Sequence, residues 1–148
     1  MKEIVLISIS GDDRPGITSM VTGILAAHSI NVLDIGQSVI HNNLSLGLLV
    51  EIPEERETSA ALRELRSRSH EMGLQLRYTP VSAESYREWV AGQGKARHIV
   101  TLLSRRIRCE EIARLSEIVA RHGLNIDKII RLSGRVSADA VAVSDRAC

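Results

Sequence analysis

Residues 44–52, LSLGLLVEI, set Leu44, Leu46, Leu48, Val50 and Ile52 at alternate positions, with Ser45, Gly47 and Glu51 among the residues between them. A period of two is the signature of a strand with one face buried and the other wet, so this run demands a sheet covered on one side. The preceding run NVLDIGQSVIH (31–41) reads as a second strand, and the Asn42-Asn43 pair tolerates the positive φ angles of a tight hairpin. KEIVLISIS (2–10) and LQLRYTPV (74–81) read as two more strands.

Two helices fit between these strands. Ile17, Met20, Val21, Ile24 and Leu25 follow the spacing of an amphipathic helix that ends near His28 and Ser29. After Pro53, Thr58 is a candidate cap, Ala61, Leu62, Leu65 and Met72 form a narrow apolar seam, and Gly73 is the stop. The order βαββαβ predicts an α+β, ferredoxin-like domain: a four-stranded antiparallel sheet with both helices on one face.

The pattern then restarts. Residues 82–97 read as a linker carrying one short helix, with a capping box at Ser85 and Glu88 and a flexible Gly92-Gln93-Gly94. HIVTLLS (98–104) is a predicted strand, Ile112, Leu115, Val119 and His122 share one side of a helix stopped by Gly123, and NIDKIIRLSGRV (125–136) is another predicted strand. Ile4-Val5 matches Ile99-Val100 at an offset of 95, and AAHSIN (26–31) matches ARHGLN (120–125) at an offset of 94, so an internal duplication is inferred. The expected organisation is a first unit at 1–81, the linker at 82–97 and a second, truncated unit at 98–148. Only twelve residues follow Val136, too few to finish a second copy, so a longer parent protein is expected.

Composition narrows the classes of function. The formal net charge is +1, Phe is absent, and Tyr78, Tyr86 and Trp89 are the only aromatics, which argues against nucleic-acid and anionic membrane partners. A ferredoxin-like RNA binder needs aromatics on its central strands, and these carry Ile, Leu and Ser. Cys109 and Cys148 form no CxxC pair, and the start MKEIVLISIS is neither a secretory leader nor a membrane span. A cytoplasmic setting is expected.

The candidate chemistry lies in SISGDDRPGIT (8–18), where strand meets helix. The loop lacks GxxxxGK[ST] and GxGxxG, and its two aspartates repel a phosphate. Adjacent Asp12 and Asp13 offer no asymmetry for acid/base work and too few ligands for Mg²⁺. Cys109 has no partner His or acid placed by sequence, and His28 and His122 occupy equivalent helix ends, where a cation complements the dipole. No DxDx[TV] nucleophile occurs, and Arg14 alone is thin support for an acyl-phosphate hydrolase. No catalytic residue and no metal ligand is therefore expected in this chain. The loop suits a small zwitterion: Pro15 fixes the helix start, Gly16 admits a ligand close to the backbone, free N–H groups face a carboxylate, and Asp13 or Asn31 takes an ammonium group. The bland alternative is a turn with an aspartate cap.

GDDRPGI after the first strand, together with AAHSINVLDI at the first helix-to-strand junction, resembles the ACT domain, a βαββαβ module that binds amino acids and regulates attached enzymes. The resemblance covers residues 1–81 and part of 98–136. NVLDIGQSVIH and GLNIDKIIRLSGR resemble, more narrowly, the paired ACT region ahead of the catalytic domain in one class of bacterial phosphoserine phosphatases. That resemblance implies a Mg²⁺-dependent parent hydrolase making L-serine, with catalytic aspartates beyond Cys148, and a regulatory role without cofactor for this chain. Carried over by position, it implies ligand-binding roles for Asp13, for Gly16 and Ile17 as backbone donors, for Asn31 opening the second strand and for Asp34 three residues later. It also implies serine or a related small amino acid as ligand, and a homodimer whose sheets join edge to edge. In the second unit RRIRCEEI replaces GDDRPGIT, Asn125 stands for Asn31 and Lys128 for Asp34, so the first unit alone is expected to bind; a basic wall from the second unit is the alternative. A free-standing tandem ACT protein resembling the glycine-cleavage-system repressor stays open as a second identity.

Overall fold

The structure, a computed structural model, describes residues 2–53 and 55–132, with the backbone alone for 55–59. It divides into two units, Met1–Ala96 and Arg97–Cys148. The first contains β1 (Glu3–Asp12), α1 (Ile17–Ala27), β2 (Asn31–Ile40), β3 (Asn43–Ile52), α2 (Glu55–Glu71), β4 (Gln75–Val81) and α3 (Ala83–Gly92). Its strands form one antiparallel sheet in the order β2-β3-β1-β4. This is the ferredoxin-like arrangement that the hydrophobic spacing predicts.

The alternation in β3 organises the core. Leu44, Leu46, Leu48, Val50 and Ile52 are all buried, and the register sets Leu46, Leu48 and Val50 opposite Ile9, Ile7 and Val5 of β1, which are buried too. These residues share one face of the sheet because side chains alternate along a strand. Ile17, Val21, Ile24 and Leu25 of α1 and Ala61 and Leu65 of α2 belong to the same cluster, so both helices cover that face. Tyr78 of β4 packs against the cluster and donates its hydroxyl hydrogen to the Leu62 carbonyl of α2 at 2.8 Å. The opposite face carries Ser8, Ser10, Ser45, Gly47, Gly36 and Ser38, small residues that are partly or fully exposed. Ile4 pairs with Val81, so the chain enters β1 and leaves β4 side by side.

Local chemistry shifts several expected boundaries. The hairpin turn is His41-Asn42, closed by the Ile40–Asn43 pair, with His41 at φ 55, one residue earlier than the Asn-Asn pair suggests. Thr58 lies inside α2, which starts at Glu55, and not at the N-cap position expected of it. The short helix after β4 is capped by Ser82, whose hydroxyl accepts the Ser85 N–H at 3.1 Å; the expected capping box at Ser85 and Glu88 sits within the helix. β2 carries a bulge between Val32 and Asp34, leaving Leu33 without a partner in the ladder.

In the second unit α4 (Cys109–Arg121) forms where the apolar spacing predicts it and ends at His122 and Gly123, the latter at φ 66. The strands expected at 98–104 and 125–136 are not found among the described residues, and 133–136 lie outside them. A strand exists through its ladder, and the described residues of neither run have one. Ile99 is 96% exposed and Leu103 89%, so neither side chain finds cover.

Candidate functional site

β1 runs two residues further than its apolar pattern, through Gly11 and Asp12, so the connection to α1 is only Asp13–Gly16. Both sides of this short loop are fastened. The Asp13 N–H donates to the Asn42 carbonyl of the β2–β3 hairpin at 2.7 Å. On the other side, the Arg14 guanidinium donates from Nη2 to the Met72 carbonyl in the turn between α2 and β4. Gly11 lets that turn press against β1: a Cβ there would lie 2.8 Å from Leu74 Cδ2 and 3.4 Å from Leu74 Cα. The β1–α1 loop, the hairpin and the α2–β4 turn thus interlock at one end of the sheet.

α1 starts without a side-chain cap. Its N-cap is Gly16, at φ 93 and ψ −6, and its first turn contains no acidic residue. The aspartate cap of the bland reading is therefore absent. A helix leaves its first N–H groups without intrahelical partners, and they carry the positive end of the helix dipole. Nothing lies within 4 Å of where a Gly16 Cβ would be. The result is a shallow, open depression lined by Asp13, Arg14, Pro15, Gly16, Ile17, Thr18, Ser19 and Gln37. Thr18 Oγ1 donates to Gln37 Oε1 at 2.6 Å, joining the first turn of α1 to β2 across this depression.

Of the residues singled out in the sequence, Asp13, Gly16 and Ile17 are brought together here. Asn31 and Asp34 are not. Asn31 pairs with Glu51, which pairs with Ile4, so it stands at the opposite end of the sheet, roughly 26 Å from the loop at about 3.3 Å per strand residue. There Asn31 Nδ2 donates to Glu51 Oε2 at 3.4 Å, and Lys2 Nζ binds the same oxygen at 3.1 Å. These two hydrogen bonds, Lys2 first, hold the Glu51 carboxyl below its usual range. Asp34 pairs with Leu49 on the uncovered face, and its Oδ1 accepts the Ile35 N–H at 3.0 Å.

Gln37, Thr18 and Ser19 were not apparent from the motif. Gln37 pairs with Leu46, which puts it on the helix-covered face, but the bulge in β2 breaks the alternation that reveals such a placement. The equivalent helix start in the second unit is occupied. Glu111 accepts the Arg108 N–H at 3.1 Å and a hydrogen from the Ser104 hydroxyl at 3.3 Å, and Glu110 adds a second carboxylate to that first turn. Among the described residues no three His, Cys, Asp or Glu side chains gather as a metal site, and no helix is long and apolar enough to cross a membrane.

The ACT domain family profile matches residues 3–79, from the start of β1 to the middle of β4. This chain belongs to the ACT domain family. Phosphoserine phosphatase SerB2 of Mycobacterium tuberculosis is 32% identical over 133 residues, which are 89% of this chain and 31% of that protein. Phosphoserine phosphatase of Streptomyces coelicolor is 30% identical over 129 residues, 87% of this chain and 30% of that protein. The chain thus spans under a third of the length of these relatives, and both matches run well beyond the first ACT domain. A crystal structure described as a candidate glycine cleavage system transcriptional repressor superposes with a TM-score of 0.52 at 18% identity, covering 55% of this chain and 47% of that one; the likeness is one of ACT fold.

Proposed function

We propose that the ACT domain at residues 3–79 is an amino-acid sensor, taking L-serine or a similarly small neutral amino acid, in the regulatory part of a phosphoserine phosphatase. The observation that carries this reading is the uncapped start of α1: the chain supplies neither a capping side chain nor an acidic residue of the first turn to meet the dipole there. A ligand carboxylate accepts from those N–H groups, and the Asp13 carboxylate at the rim meets the ammonium group. The self-capped start of α4 favours the first unit as the one that binds.

The parent activity is inferred from the relatives' names, and in this proposal hydrolysis belongs to the part of the parent that corresponds to their remaining two thirds. The resemblance attaches Mg²⁺ to that part; the described residues of this chain offer no ligand set that fits it. Asn31 enters the site only from a second copy. Two β2 edges paired antiparallel about a twofold axis would turn the Asn31 end of the partner subunit's β2 toward the hairpin that holds Asp13. The test is calorimetric titration of the chain with L-serine, in wild type and in Gly16→Leu. Saturable binding to wild type is expected, and none to the variant. Since space is open at that position, Gly16→Leu retains the wild-type circular dichroism at a backbone strain of about 1–2 kcal/mol. Absence of heat with L-serine, glycine and L-alanine overturns the sensor reading, and wild-type affinity in Gly16→Leu moves the site elsewhere.

A further inference from the structure

We propose that Arg14 is a positioning residue of this site: it sets the shape of the ligand loop by gripping the α2–β4 turn, and it does not contact the ligand. This rests on the reading that the loop binds an amino acid. An arginine beside a helix start, at the edge of the depression, is the obvious candidate for a ligand carboxylate, but its Nη2 is engaged by the Met72 carbonyl 58 residues along the chain. Gly73 follows at φ 70, a left-handed turn that leads the chain from α2 into β4. A Cβ on Gly73 would come within 3.9 Å of Arg14 Nη2, so the guanidinium lies directly over that turn.

The consequence is mechanical. The loop is only Asp13–Gly16, and its N-terminal side is already held by the Asp13 N–H on the Asn42 carbonyl. Arg14 supplies the second attachment, on the opposite flank, and Pro15 removes one more degree of freedom between Arg14 and Gly16. Gly16 tolerates many backbone conformations, so its single observed one must be imposed by its neighbours. Released from Met72, the loop samples other shapes, and the α1 N–H groups present a converging set for a smaller fraction of the time. A ligand that binds one conformer of several loses affinity by that fraction.

Positioning and direct contact give different results in a cycle of residue and ligand. Wild type, Arg14→Ala and Arg14→Lys are titrated with L-serine and with L-serinamide, which lacks the carboxylate. Positioning predicts that Arg14→Ala weakens both probes by the same factor, about tenfold for loss of one charge-assisted hydrogen bond, leaving the preference for L-serine intact. Arg14→Lys recovers part of that loss. Collapse of the preference in Arg14→Ala shows a direct contact and overturns the proposal, as does unchanged affinity for both. If wild type binds neither L-serine nor any small neutral amino acid, the sensor reading falls by itself. The loop-setting role is then read from amide hydrogen exchange: Arg14→Ala must speed exchange at Asp13 while Val5, Ile7 and Ile9 keep their protection. Unchanged exchange at Asp13 overturns it.

Discussion

Gly16 and Arg14 are neighbours of one proline, and their roles were unequally legible. The need for a glycine before a helix can be read from DDRPG itself, because it is a local backbone requirement. The partner of Arg14 is a main-chain oxygen far along the sequence, and every residue carries one, so no pattern of residue types marks it. Tyr78 is a third single-residue device. Burial raises its pKa from the ordinary 10 to about 12, with Arg66 opposing, while its hydroxyl donates to the Leu62 carbonyl. The folded chain then keeps a proton that the unfolded chain releases above pH 10, so this contribution to stability is complete below pH 10 and is lost as pH rises to about 12. Tyr78→Phe is expected to be about 1 kcal/mol less stable at neutral pH and to show a shallower loss over that alkaline window. Urea midpoints measured across it check the difference; parallel loss in both proteins would remove Tyr78 as its source.

Among elements, β3 and β2 show what governs legibility. β3 is a central strand with one face on the core, so its period of two is strict and its buried set follows directly from its letters. β2 is an edge strand with a bulge at Leu33, and Val32 and Ile35 remain 43% and 49% exposed on the helix side. Its letters answer to a bent backbone and partial burial, which is why Gln37 went unseen and why the face of Asp34 does not follow from counting residues after Asn31. α2 contains one residue that its packing does not use. Ser69 is 1% exposed and its hydroxyl has no hydrogen-bond partner among the described residues. An unsatisfied buried hydroxyl is unfavourable and alanine is the better helix former, so Ser69→Ala is expected to be neutral or to gain about 1 kcal/mol in denaturant unfolding. A clear destabilisation would mean that an ordered water satisfies the hydroxyl.

At the scale of the whole molecule, the strand-like runs of the two units have different fates. Four runs in the first unit find ladders, whereas the strand-like runs of the second find none among the described residues. The amino-acid pattern reports a tendency to pair, and pairing needs a partner strand that the pattern does not supply. The first sheet leaves β2 as one free edge, and the proposed dimer uses it. Ile35→Lys puts a charge beside that edge while leaving the core untouched, so it should raise the dimer dissociation constant about tenfold or more. Sedimentation velocity of both proteins reads this; identical association would locate any dimer contact elsewhere. The Ile4–Val81 pairing also bears on how such a unit is reused. The start of β1 and the end of β4 lie on adjacent strands, about 5 Å apart, at the end of the sheet remote from the β1–α1 loop. The βαββαβ fold is therefore a cassette: it can be spliced ahead of or within another protein through one small socket.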